Sequence, residues 1–346
     1  MIRDGQARGE RERLARVLLR SGFSALLSLL PAKDSLLVLT YHRVGDAESD
    51  PWDPGIFSAT ADEFDAQISY LKQKNLLVTL DEALAFVDGS DKDKSNRCRV
   101  LLTFDDGYLD NYQIAYPILK SHGAQAVFFL CSSIVGSCYV PWWDHIGYLV
   151  KSGSRKRFSL KYPTSLHIDI VKNGLRESIR EIVDVFKSSQ NLDPERFICE
   201  LRDAAGGNDL PMNARRFLNW DEAREMLAGG MEIGAHTHTH PMLSKLSQEE
   251  QRKELAESRA IIGQKLGIKV DTFAYPFGSP TTFTKETEKI VEEMGFRGAF
   301  SYYGILSNLR QNLERFNIKR VTVGPQTWTR MKVQTEFCRV TGNYWP

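Results

Sequence analysis

Apolar residues fall in short blocks that stop abruptly at polar clusters, and the blocks alternate with stretches of helical period. Leu36-Leu37-Val38-Leu39-Thr40-Tyr41 runs into His42-Arg43, and Val100-Leu101-Leu102-Thr103-Phe104 runs into Asp105-Asp106-Gly107. An unbroken apolar run of this length suits a strand covered on both faces, as in a parallel sheet. Further strands are predicted at 76–80, 126–130, 232–235, 272–275, 299–302 and 318–323. Between them the spacing predicts helices over 63–74, where Phe64, Ile68 and Leu71 share a face, and over 111–121, 249–266 and 285–294. A shorter helix over 81–87 reads as capped by Asp81, followed by a charged loop over 88–97. About eight alternations of strand and helix argue for an α/β fold with the helices outside, most economically a barrel.

One segment breaks the rhythm. From about 141 to 217 the chain opens with Trp142-Trp143-Asp144-His145 and turns charged and mostly helical, so it reads as an insertion walling one side of a cleft. Three parts follow: a basic, amphipathic arm over 1–34, the barrel over 35–330 with that insertion, and a tail over 331–346.

Charge removes one class of partner. With 45 basic and 44 acidic residues the net charge is +1, so no overall field favours nucleic acid. The arm is different: Arg3, Arg8, Arg11, Arg13, Arg16 and Arg20 precede an apolar stretch over 23–31. Glu10 and Glu12 among the arginines weaken a signal-peptide reading, and an amphipathic helix on the barrel or in peripheral contact with a membrane fits as well. No apolar stretch reaches the ~18 residues of a spanning helix. The five cysteines lack metal-ligand spacing and read as buried thiols in a reducing compartment. That points to the cytoplasm or the cytoplasmic membrane surface, with secretion left open.

Chemistry gathers where strands end. Asp105 and Asp106 are adjacent on a strand, so they take different roles only if the chain turns between them, one carboxylate for a metal and the other for protons. Taken alone, the pair reads rather as an Asp-Gly turn capping the next helix. The second cluster, His236-Thr237-His238-Thr239-His240-Pro241, holds three of the chain's seven histidines. A helical turn there would aim His236 and His240 at one ion, whereas an extended backbone would pair His238 with His240. Asp106 with two histidines makes a three-ligand zinc shell with a position left for water.

The stretches Thr103-Phe104-Asp105-Asp106-Gly107-Tyr108 and His236-Thr237-His238-Thr239-His240-Pro241 resemble the first two motifs of the NodB-homology polysaccharide deacetylases, carbohydrate esterase family four. Phe273-Ala274-Tyr275-Pro276-Phe277-Gly278 stands where that family has its Arg-x-Pro-Tyr motif, and the similarity extends over roughly 36–325. The resemblance implies a distorted (β/α) barrel, here of about seven to eight parallel strands with a helical insertion, that removes acetyl groups from N-acetylated sugars with a divalent metal. Zinc is the first choice, and cobalt, manganese or nickel also suit a His-His-Asp site. It further implies Asp105 as general base, Asp106, His236 and His240 as metal ligands, and Thr237 as the residue steadying the histidine loop. Two departures stand out. Ala274 replaces an arginine that orients the base, a job Arg43 is placed to take over. No histidine follows His240, but Leu39-Thr40-Tyr41-His42 has the spacing of the family's C-terminal acid motif. First and last strands of a closed barrel are neighbours, so His42 is assigned as the acid of a permuted branch.

On this reading Asp105 takes a proton from water, His42 gives one to the leaving amine, and a backbone N–H near Gly107-Tyr108 meets the oxyanion. Trp142, Trp143 and Tyr275 are candidates to stack on a sugar ring, with Pro276, Phe277 and Tyr108 lining the site. The expected partner is an N-acetylated glycan or glycolipid. Two other readings remain: a hydrolase of another, cyclic amide, and an inactive carbohydrate-binding member of the fold, which the missing motif arginine favours.

Overall fold

The computed structural model describes residues 17–18, 26–27, 29–93, 95–189, 192–211, 215–303, 313–324 and 328–341. The six arginines of the arm read from the sequence as amphipathic, and most of the rest of it, lie outside the described residues.

Seven of the apolar runs form strands: β1 (Ser35–Tyr41), β2 (Cys98–Asp106), β3 (Val127–Leu130), β4 (Glu232–Ala235), β5 (Thr272–Ala274), β6 (Gly298–Ser301) and β7 (Ile318–Thr322). Each pairs in parallel with its neighbour in sequence, and β7 returns to β1 to close the barrel. Register is set at the closure by Val38 opposite Arg320 and between β1 and β2 by Tyr41 opposite Phe104. Every residue of β1 and β2 is buried, as their unbroken apolar runs require.

Alternation sorts these strands into two layers. Tyr41, Phe104 and Phe128 stack across β1, β2 and β3, with ring centroids 5.1 and 4.7 Å apart, in the layer shared with the surrounding helices. Val38, Leu101, Phe129 and Phe300 belong to the other cluster, inside the barrel. Leu101, Thr103 and Asp105 alternate onto one face of β2, so the first carboxylate of the pair points into the barrel mouth.

The predicted strand at 76–80 is not part of the barrel. Leu77 makes a single bridge to Val100, and helix formation starts at once, over Leu80–Asp88. The reason is a capping box: Thr79 accepts from the Glu82 amide while the Glu82 carboxylate accepts from the Thr79 amide. Thr79, rather than Asp81, is the cap. This helix sends Leu80, Ala83, Leu84 and Phe86 into the inner cluster and plugs the end where the strands begin. Over 111–121 the first turn is a wide π turn, Asn111–Ala115, before regular helix at Tyr116–Ser121.

Residues 45–57 and 138–216 form a second compact unit. It contains helices over Trp142–Ser152, Leu175–Ser188 and Pro194–Ala205, and an antiparallel hairpin joining Arg157–Leu160 to Leu166–Asp169. Ile146, Leu149, Ile182 and Phe197 are fully buried in its own core. The segment 45–57 gave no sequence sign of belonging there. Asp144 is fully buried, and its carboxylate accepts from Arg216 Nε at 3.1 Å while the guanidinium lies 3.6 Å over the Trp52 ring. Asp144→Ala removes the buried carboxylate of this ion pair, so denaturant unfolding should show a loss of about 3–5 kcal/mol.

Trp328–Thr341, counted in part as tail, is a helix whose buried Glu336 accepts from the Tyr70 hydroxyl at 2.7 Å. Cys98, Cys131 and Cys338 are buried as expected; Cys138 and Cys199 are exposed, Cys199 on a helix face that turns away from the core. Among the described residues no helix is long and apolar enough to cross a membrane.

Candidate active site and metal centre

The chain does turn between the two carboxylates. Asp106 takes φ 71° and Gly107 φ 77°, so β2 ends in consecutive left-handed residues. A Cβ on Gly107 would come 2.8 Å from Leu130, so that position needs glycine for space as well as for backbone angle. Asp105 stays inside the barrel mouth while Asp106 swings toward the histidine loop.

Asp105 is gripped by an arginine from the last strand. Arg320 donates from Nη1 to Oδ1 and from Nη2 to Oδ2, both at 2.7 Å, and neither side chain has more than 4% of its surface exposed. The guanidinium is itself fixed, with Nε on the Ser301 carbonyl at 3.1 Å and Nη1 on the Thr103 hydroxyl at 3.3 Å. Burial pushes the Asp105 carboxyl up, but the Arg320 charge, with His236 and His42 nearby, outweighs it and holds the group at about 2. The carboxylate is ionised at any working pH.

The histidine loop converges on Asp106. His236 Nε2 lies 3.5 Å and His240 Nε2 3.4 Å from Asp106 Oδ1, and all three residues are buried. Four ligands bound at about 2.1 Å in a tetrahedron around zinc stand roughly 3.4 Å apart, which the two Asp106–histidine separations match, and all three donor atoms lie within 4.8 Å of one another. Two imidazoles and one carboxylate suit such an ion chemically as well. His236 Nδ1 is 2.8 Å from the Ala274 carbonyl, which makes it the protonated nitrogen and turns the Nε2 lone pair toward Asp106. Burial lowers the His236 pKa and keeps the ring neutral, against the pull of Asp105.

The loop achieves this without the helical turn expected over 236–240. Thr237 and His240 both have φ 62° and curl the chain by left-handed steps. The Thr237 hydroxyl donates to the His236 carbonyl at 2.6 Å and accepts from the His240 amide at 3.0 Å. Among the described residues only five non-glycine positions have positive φ, and Asp106, Thr237, His240 and Phe277 are four of them. Strain of this kind, on the order of 1–3 kcal/mol each, gathers where function over-determines the backbone.

Several sequence assignments change here. The place given to Arg43 beside Asp105 is taken by Arg320; Arg43 Nε donates to Asp110 at 2.7 Å and its guanidinium lies over Tyr108. Tyr275 offers no platform for a sugar, being 1% exposed, stacked on Phe283 at 4.1 Å and bonded through its hydroxyl to the Phe316 carbonyl. Tyr108 is equally buried, stacked on Phe217. The Gly107 amide donates to the Asp105 carbonyl at 2.9 Å, which takes it out of the set of oxyanion donors. Pro276 is buried, and the Phe277 ring lies 4.8 Å from His240. Trp142 and Trp143 belong to the second unit, where Trp142 stacks on Phe186 at 4.1 Å.

His42 follows Tyr41, which pairs with Phe104, so the register brings it level with Asp105. Asn111 Nδ2 donates to its carbonyl at 2.7 Å, its amide donates to Ser58, and its ring meets Tyr302 edge-on at 5.6 Å. The residue that sequence reasoning missed is Arg320. Its signal was an arginine two residues after the inward-facing Ile318, legible only once that face is known to be the barrel interior.

Comparison with known proteins agrees with this architecture. The family model for polysaccharide deacetylase matches residues 92–299. YxkH of Bacillus subtilis is 23% identical over 267 residues, 77% of this chain and 63% of YxkH. The poly-beta-1,6-N-acetyl-D-glucosamine N-deacetylase of Staphylococcus epidermidis is 33% identical over 117 residues, 30% of this chain and 39% of that protein. This chain thus spans less than two thirds of the length of either relative. In fold it is similar to IcaB from Ammonifex degensii, with TM-score 0.56 and 21% identity over 89% of this chain and 99% of the other. It is also similar to the Streptococcus pyogenes deacetylase PplD, with TM-score 0.54 and 17% identity over 86% and 96%.

Proposed function

Since the chain belongs to the polysaccharide deacetylase family, we propose that it hydrolyses the N-acetyl group of an amino sugar in a polysaccharide, glycolipid or related glycan. One observation carries this reading: a carboxylate held ionised by Arg320 stands next to a separate carboxylate that shares a buried three-donor cluster with two histidines. Asp106, His236 and His240 would hold a divalent metal, zinc first among the candidates, which would supply Lewis acidity toward a water and the acetyl carbonyl. Asp105 accepts the proton of the attacking water, and Arg320 keeps its oxygens aimed and anionic. His42 protonates the departing nitrogen, which would otherwise leave as a very poor anion. The name of the Staphylococcus relative supports β-linked N-acetylglucosamine as the sugar to try first. The basic arm would bring the protein to an anionic membrane surface, the setting of a lipid-linked glycan at the cytoplasmic face.

The test is acetate release from N-acetylglucosamine oligomers, with metal content measured on each preparation. Wild type should release acetate and expose one amine per acetate, lose activity on chelation and regain it with Zn2+ or Co2+. His42→Ala should keep its metal and slow by about 10²-fold or more. Metal-loaded protein that releases no acetate from any N-acetylated glycan would overturn the reading.

A further inference from the structure

His238 sits between the two histidines of the metal cluster and faces away from it. Its Nδ1 is 2.9 Å from the Ser132 hydroxyl, and its carbonyl accepts from the Ser133 amide at 3.0 Å, fastening one side of the loop to the chain that follows β3. The other side is held by one residue of the helix Gln248–Leu266. Glu254 Oε2 accepts from the amides of His238 and Thr239 at 2.9 and 2.8 Å, and Oε1 accepts from the Thr239 hydroxyl at 2.6 Å.

We propose that Glu254 is the positioning residue of the metal loop, setting ligand geometry without touching the ion. The inference rests on the metal reading of Asp106, His236 and His240. Thr237 and His240 flank the clamped amides and are both held at φ 62°, a conformation each would leave if the middle of the loop were released. Three donors converge on Glu254, and a carboxylate answers all three with charge-assisted hydrogen bonds. A glutamine there still accepts from both amides through its one oxygen, and its amino group can donate to Thr239 Oγ1. An alanine answers none of them. His238 and Ser132 brace the opposite edge, so loss of Glu254 frees one side of the loop and moves His240 relative to Asp106.

The experiment is metal affinity by chelator competition on the full chain, with the visible spectrum of the Co2+ form and the melting temperature of the metal-free protein alongside. Glu254→Ala should weaken binding about 10–100-fold and alter the Co2+ spectrum, with little change in the metal-free melting temperature. Glu254→Gln should lie close to wild type, and Thr239→Val, which removes only the hydroxyl, should fall between them. Affinity and spectrum of Glu254→Ala matching wild type would overturn the proposal, as would a loss of affinity equalled by Glu254→Gln. Wild type that takes up no metal overturns it together with the metal reading. Wild type that takes up metal but releases no acetate removes the deacetylase reading alone, and the Glu254 comparison still decides.

Discussion

Asp105→Asn should lower kcat for acetate release by about 10³-fold with metal content unchanged. Asparagine keeps the shape and one accepting oxygen for Arg320, and the carboxylate of the candidate metal cluster is the separate residue Asp106, turned away by its left-handed backbone. What disappears is the acceptor for the proton of water. KM should move little, because an acetamide makes no ground-state bond that needs the charge. Asp106→Ala should instead lose the metal along with the activity. A kcat for Asp105→Asn within tenfold of wild type, at full metal content, would remove Asp105 as the base.

Arg320→Met should have the second largest effect, on catalysis and stability together. Asp105 sits at about 2, below the ordinary 3.8, because the arginine overcomes burial. A depressed carboxyl stabilises the fold above its unfolded value, and that contribution fades as pH falls from about 4 toward 2. Without Arg320 burial is opposed only by His236 and His42, so the Asp105 pKa rises and the acid limb of the kcat profile moves to higher pH. A buried carboxylate stripped of its partner also costs about 3–5 kcal/mol of stability. Arg320→Lys should recover part of the stability but little of the rate, since one ammonium cannot hold both oxygens at once. An unshifted pH profile in Arg320→Met would mean that the ion pair is structural only.

The same arginine bears on the inactive, binding-protein reading. Its support was Ala274 at the place of the motif arginine, and the base is nonetheless paired bidentately, from β7. Ala274 contributes through its backbone instead, its carbonyl fixing the His236 ring.

Much of the fold was legible because two-sided burial writes itself into sequence as unbroken apolar runs. β1 and β2 were found that way, and so was the position of chemistry at their ends. The strand that failed, 76–80, has strand-like composition, and the competing signal was local: a Thr79–Glu82 capping box that starts a helix. The three-donor cluster was legible because Asp and His in those motifs have few other reasons to gather, although the expected helical turn was not the route by which His236 and His240 meet.

The sequence by itself marked the (β/α) architecture, the break in rhythm after residue 140, the candidate base and the three metal-binding candidates, since each shows in short local patterns: apolar runs, the Asp105-Asp106 pair and the 236–240 histidine cluster. Tertiary structure alone decided which cation faces Asp105, that Tyr275 is covered, that 45–57 belongs with 138–216, and that Glu254 clamps the histidine loop. These depend on barrel closure, which sets β7 against β1 and buries Arg320 some 215 residues from its partner. No local pattern encodes a pairing across that distance; the energy that selects it, burial of two charges that must meet, exists only once the barrel has closed.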